Sequence, residues 1–98
     1  MTEPVLRREI LKGGSKGRYV LTLNGAEAEL TYSVTSPTLV IADHTEVSEA
    51  LRGTGAGLLL VERLVADARA EGFKIMPLCP FTNAMRRKHP EWADAFAV

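Results

Sequence analysis

The chain has one cysteine, Cys79. A lone cysteine excludes an internal disulfide framework and leaves a thiol that is either packed or used. Aromatic residues are few, 6% of the total, and of these Trp92 and Phe96 read as core anchors near the C-terminus. No charge of either sign prevails, because 12 Lys and Arg stand against 12 Asp and Glu. The basic residues are scattered from Arg7 to the Arg86-Arg87-Lys88 trio, so no field suited to nucleic acid follows. No apolar run approaches the ~18 residues of a membrane span, and Met1-Thr2-Glu3-Pro4 leads into Arg7-Arg8-Glu9 without the apolar core of a signal peptide. A cytoplasmic protein is expected. Repeats, linkers and low-complexity stretches are absent, and 98 residues at 46% hydrophobic content suffice for one domain, residues 1–98, with one core.

The first half reads as short strands. Residues 5–11 suit an edge strand, and residues 12–17, with three glycines, a flexible loop. Residues 18–23 alternate, with Tyr19, Leu21 and Leu23 on one face. Asn24-Gly25 is the signature of a two-residue hairpin turn whose central positions both need positive φ. Alternation resumes with Ala28, Leu30, Tyr32 and Val34 and stops at Ser36-Pro37. Leu39-Val40-Ile41-Ala42 is apolar at every position, which predicts a central strand covered on both faces.

From there the pattern changes to βαβ. Leu58, Val61, Leu64, Val65 and Ala68 recur at helical spacing over residues 55–71, and Gly72 suits the position just past the helix. Residues 73–78 follow as a strand parallel to the apolar one, reached by a right-handed crossover. Thr82 or Asn83 is placed to cap a short helix over residues 84–88, which must stop near His89 because Pro90 follows. The remainder reads as a short docking tail.

Between the apolar strand and the long helix lies Arg52-Gly53-Thr54-Gly55-Ala56-Gly57. Glycines at alternate positions let the backbone turn tightly and approach a ligand, and the helix directs its unpaired N–H groups to the same place. Phosphate is the natural occupant; a turn that uses its glycines only for close packing is the alternative. The spelling is neither a Walker A loop, which ends Gly-Lys-Ser/Thr, nor a dinucleotide fingerprint, whose third glycine comes one residue later. It does fit Arg/Gln-x-x-Gly-x-Gly/Ala, and it occurs in one order with His44-Thr45-Glu46-Val47, Pro77-x-Cys79-Pro80-Phe81 and His89-Pro90-Glu91-Trp92. Together these elements, spanning residues 18–95, resemble a small single-domain group of the GNAT superfamily of acetyl-CoA-dependent N-acetyltransferases.

The resemblance implies an α/β fold with a mixed sheet: antiparallel N-terminal strands, a βαβ unit whose parallel strands splay apart, and a short C-terminal helix. It also implies acetyl-CoA as cosubstrate, with no metal. Backbone groups near Thr45 and Val47 would hold the pantetheine arm. The N–H groups of Gly53, Thr54, Gly55, Ala56 and Gly57 would hold the pyrophosphate, with Arg52 beside them. Asn83 and Arg86, Arg87 or Lys88 would lie toward the ribose phosphate, the alternative for the basic trio being a solvated helix face. Glu46 is the candidate base, directly or through water, against a merely surface carboxylate. The superfamily's usual thiolate donor is a tyrosine on the last helix, which residues 84–88 lack, and Cys79 is the replacement candidate: acid, acetyl-accepting nucleophile, or packed thiol. His44 and His89 match no zinc spacing and read as a hydrogen-bonded strand end and a packed residue before Pro90. The N-terminal helices that usually wall the acceptor side have no room here, so the acceptor site should be open. The expected partners are acetyl-CoA and an unidentified amine, on a peptide, a protein or a diffusible molecule, with no nucleic acid and no membrane. The chain itself is expected to be a monomer or weak homodimer. A non-catalytic module that binds CoA or acyl-CoA is the alternative function.

Overall fold

Alternation in the first half lays down four antiparallel strands before any α-helix forms. In the computed structural model, which describes residues 3–98, β1 (Val5–Leu11), β2 (Lys16–Leu23), β3 (Ala26–Ser36) and β4 (Leu39–Val47) pair in chain order. The helix α1 (Ala56–Glu71) then crosses over, and β5 (Lys74–Pro77) pairs parallel with β4. α2 (Pro80–Lys88) and a 3-10 turn, Pro90–Ala95, follow. The hairpin between β2 and β3 turns on Asn24 (φ 52°) and Gly25 (φ 78°), both in the left-handed region that such a turn demands. Gly72 ends α1 in the same conformation (φ 80°), its N–H donating to the Ala68 carbonyl at 2.9 Å.

One face of the sheet carries the core. Tyr19, Leu21, Leu30, Val40, Ala42 and Ile75 point from the strands to Leu60, Val61, Leu64 and Val65 of α1, and Trp92 and Phe96 close the end. Each large apolar side chain buried this way contributes about 1.5–3 kcal/mol. The tail docks beside β5, where the Ala97 N–H donates to the Ile75 carbonyl at 2.8 Å.

The apolar strand is interior to the sheet, between β3 and β5, but it is not covered on both faces. β4 lies next to the last strand, and its Val40 and Ala42 are buried while Ile41 is only half-buried on the open face. A continuous apolar run was the wrong guide, because the chain places its helices on one face only. The loop expected over residues 12–17 is shorter, a 3-10 turn at Lys12–Gly14 with β2 resuming at Lys16. Gly17 is in that strand because a Cβ there would lie 2.2 Å from the Tyr32 hydroxyl oxygen. The short helix expected over residues 84–88 begins at Pro80 instead. Cys79 is its cap residue, Pro80 takes the first turn, and Thr82 and Asn83 lie inside it.

Charged pairs finish both sides of the sheet. On the open face Arg18 bridges Glu9 at 2.7 Å and Glu29 at 2.9 Å, while Arg7 pairs with Glu9 at 2.9 Å. Val20, in register between Arg7 and Glu29, is only 1% exposed on that face. On the helix side Arg8 donates to the Tyr32 hydroxyl at 3.0 Å and pairs with Glu71, and the Tyr19 hydroxyl donates to Asp67 at 2.7 Å. Both tyrosines of the chain are thus tied to the join between sheet and α1.

Candidate functional site

A β-bulge decides which side chains face the site. In the β3–β4 ladder Thr31 pairs with His44 and Tyr32 with Ala42, so Asp43 is the extra residue, its carboxylate accepting from the Ser33 hydroxyl at 2.6 Å. Beyond the bulge the alternation is reversed. Thr45 and Val47 turn to the helix side, in register with the buried Leu30 and Ala28, while His44 and Glu46 turn to the open face, opposite Thr31 and Glu29.

The same stretch has a free edge. β5 pairs with β4 only as far as Ala42, where the Cys79 N–H donates to the Ala42 carbonyl at 2.9 Å. The Ser48 N–H donates back to the Glu27 carbonyl at 3.1 Å. In an antiparallel ladder the bonded pairs alternate, so this bond sets the phase: the backbone groups of Thr45 and Val47 point away from β3, across the edge that β5 has left. Such an edge is a template for an extended ligand.

Next to it the chain turns from β4 into α1. Gly53 (φ 81°) and Gly55 (φ 84°) are left-handed, with open space where a Cβ would stand. Gly55 is the N-cap residue of α1 and, having no side chain, supplies no cap bond to the first-turn N–H groups. The first bond of the helix is from the Leu59 N–H to the Gly55 carbonyl at 3.0 Å, so the amides of Ala56, Gly57 and Leu58 are left for a ligand. Gly57 has a different purpose: its Cβ would lie 2.5 Å from the Phe81 ring of α2. The close-packing reading thus holds for that glycine, and the turn reading for the other two.

These pieces surround a cavity of about 620 Å³. Of the residues singled out in the sequence, Thr45, Val47, Arg52, Gly53, Gly55, Ala56 and Gly57 line it. Thr54 does not; its hydroxyl bonds to the Leu51 carbonyl. Asn83 and Arg86 pair with each other at 3.0 Å and lie outside the cavity lining, as does Arg87. The lining of α2 is instead Phe81, Met85 and Lys88, with His89 just beyond, stacked on Trp92 at 4.1 Å. Positions 81, 85 and 88 form one helical stripe. Reading Cys79-Pro80 as a cap followed by a first-turn proline reveals that stripe; beginning the helix at residue 84 hides it.

Cys79 sits behind the cavity wall, 3% exposed, and its thiol donates to the Thr45 hydroxyl at 3.3 Å. Burial pushes the thiol up. The Thr45 hydroxyl, the amide and hydroxyl of Thr82 and the amide of Phe81 outweigh that and hold it below its ordinary value. Thr82 is fully buried, and its hydroxyl, near enough to the thiol to favour the thiolate, completes no hydrogen bond in its present geometry among the described residues.

Glu46 lies on the other side of β4 from Cys79. It lines a second cavity, of about 590 Å³, with Arg18, Glu27, Glu29 and Arg52, and the His44 ring stands 3.7 Å from its carboxylate. Thr45, Val47 and Arg52 belong to both cavities. The two therefore meet at the free edge of β4. Among the described residues no three His, Cys, Asp or Glu side chains gather where they could hold a metal ion, and no helix is long and apolar enough to cross a membrane.

The sequence profile described as GCN5-related N-acetyl-transferase matches residues 18–95. The solution NMR structure of a GCN5-like N-acetyltransferase candidate from Staphylococcus aureus superposes with a TM-score of 0.66 at 34% identity, covering 90% of this chain and 86% of that one. No curated protein matches significantly. The chain belongs to the GCN5-related N-acetyltransferase family.

Proposed function

We propose that this protein transfers an acetyl group from acetyl-CoA to a primary amine. The observation that carries the reading is the convergence, on one cavity, of the unpaired β4 edge at Thr45 and Val47 with the unpaired amides at the start of α1. The pantetheine arm would lie along that edge as an added strand, and the pyrophosphate would rest on the glycine turn. A helix N-terminus contributes only ~0.3–1 kcal/mol toward an anion, so Arg52 and several amides must act together, with Lys88 available for a further phosphate. The thioester then lies where the edge opens to both faces, and a backbone N–H of β4 would polarise its carbonyl.

The amine would arrive from the open face. There Glu27, Glu29 and Glu46 line the adjoining cavity, an environment that favours an ammonium ion and offers Glu46 as the group that removes its proton, directly or through water. An acceptor on a peptide or protein suits a face on which Glu27 and Glu46 are exposed. Acetyl-CoA is a cytoplasmic metabolite, and the cytoplasm is the compartment this reading calls for.

A second reading, a module that binds acyl-CoA without turnover, is favoured by one observation: Tyr19 and Tyr32 are both tied to the α1 join, so neither can protonate the leaving thiolate. Thermal unfolding with and without acetyl-CoA, repeated on Gly55→Glu, tests the shared premise. Ligand at 100 times its dissociation constant stabilises by about 2.7 kcal/mol, worth roughly 10 °C or more in a domain of this size. A shift that Gly55→Glu abolishes supports the cofactor site; no shift in the folded wild type ends both readings. Consumption of acetyl-CoA with an amine acceptor separates the two.

A further inference from the structure

The geometry points to a two-member proton relay, Cys79 to Thr45, that protonates the departing CoA sulfur, with Thr82 as the residue that positions the cysteine thiol. This inference rests on the acetyltransferase reading above. Cys79 is 3% exposed and absent from the cavity lining, whereas Thr45 lines the cavity and accepts the Cys79 hydrogen bond at 3.3 Å. The group that can touch a thioester sulfur is therefore the Thr45 hydroxyl, with the thiol one bond behind it.

A hydroxyl alone is too weak an acid for this step, but a hydroxyl refilled by a thiol is not. The cysteine in turn needs its negative charge held. It stands at the N-cap position of α2 without a side-chain cap bond, and the first-turn amides of Phe81 and Thr82 favour its thiolate form. The Thr82 hydroxyl is the independent sign of such a site. A fully buried hydroxyl without a completed hydrogen bond is costly, and here it lies beside a thiol whose thiolate form would accept its proton as a strong, charge-assisted bond.

In the reaction the amine nitrogen bonds to the thioester carbonyl carbon. The tetrahedral adduct collapses, the C–S bond breaks, and its electron pair stays on sulfur. Thr45 Oγ1 gives its proton to that sulfur and takes the proton of Cys79. The resulting thiolate is held by the Phe81 and Thr82 amides and the Thr82 hydroxyl until solvent reprotonates it after CoA has left. The proton lost by the amine leaves to solvent on the Glu46 side.

The test compares wild type with Thr45→Val, Thr45→Ser, Cys79→Ala and Thr82→Val. It measures acetyl-CoA affinity by calorimetry and loss of thioester absorbance with poly-L-lysine or hydroxylamine as acceptor. Thr45→Val is expected to lower kcat about 100-fold with affinity unchanged, Thr45→Ser to restore most of it, and the Thr45→Val/Cys79→Ala pair to lose no more than either single change. Thr82→Val should shift the alkaline fall of the rate to higher pH, because the thiol then holds its proton longer. Wild-type kcat in Thr45→Val overturns the relay, and so does intact-protein mass spectrometry that finds an acetyl group on Cys79. A wild type that binds acetyl-CoA and consumes none with either acceptor overturns the acetyltransferase reading itself, and the relay with it.

Discussion

The Phe81 ring of α2 fills the space that a side chain on Gly57 of α1 would need, 2.5 Å from the ideal Cβ position. Because Phe81 also lines the cavity, displacing its ring changes the shape of the proposed cofactor site. In Gly57→Ala the helix gains about 1 kcal/mol of propensity, against an overpacking cost of about 1–3 kcal/mol. The expected result is a net stability loss below about 2 kcal/mol by urea unfolding, together with at least a tenfold loss of acetyl-CoA affinity by calorimetry. A variant that binds as wild type does would show that Phe81 is not part of the site's shape.

Gly55 is needed for its backbone, not for space, since nothing lies within 4 Å of its would-be Cβ while its φ is 84°. Gly55→Ala should therefore cost about 1–2 kcal/mol. Gly55→Asn should cost less, because asparagine tolerates the left-handed region and serves well as a helix cap. Equal losses for the two would contradict the assignment.

Glu46 is exposed, and among the described residues the only ion-pair partner within reach is His44, at 3.7 Å. Glu46→Gln is accordingly expected to leave the unfolding midpoint and acetyl-CoA affinity unchanged while lowering turnover by 100-fold or more, as loss of a general base does. Steady-state rates beside calorimetric affinities read this directly, and unchanged turnover removes Glu46 from the chemistry.

Burial raises the Tyr19 hydroxyl well above its ordinary value, and its bond to Asp67 raises it further. In the unfolded chain this phenol ionises near pH ~10, while the folded chain still holds the proton. The contribution is thus complete below about pH 10 and is lost as pH rises toward the folded value. Stability should begin to fall near pH ~10 and keep falling as pH rises further in denaturant titrations. Tyr19→Phe, which deletes a hydrogen bond to a charged group worth about 1.5–3 kcal/mol, should be less stable at neutral pH and show a shallower alkaline slope.

Much of this fold is legible locally. Asn24-Gly25 specifies its hairpin because few other pairs adopt two left-handed residues in succession. The spacing from Leu58 to Ala68 and the glycine at 72 define α1 within a residue. Arg52-Gly53-Thr54-Gly55 marks the turn because positive φ at alternate residues is a glycine requirement. Each is a matter of what one short stretch of backbone can do by itself.

Other features depend on partners distant in the chain. Whether β4 is covered on one face or two is decided by where α1, α2 and the tail pack, and an apolar run is compatible with either. The stripe of Phe81, Met85 and Lys88 appears only once Pro80 is known to begin α2. Above all, the extra residue at Asp43 exists only relative to β3. It alone sends Thr45 toward Cys79 and Glu46 to the opposite face, because side chains alternate along a strand and one inserted residue reverses every side chain after it. By itself the sequence determined which segments form strands, turns and helices, through backbone conformations that short stretches favour. Only the tertiary structure decided which face each reactive side chain looks toward, because register is a relation between strands.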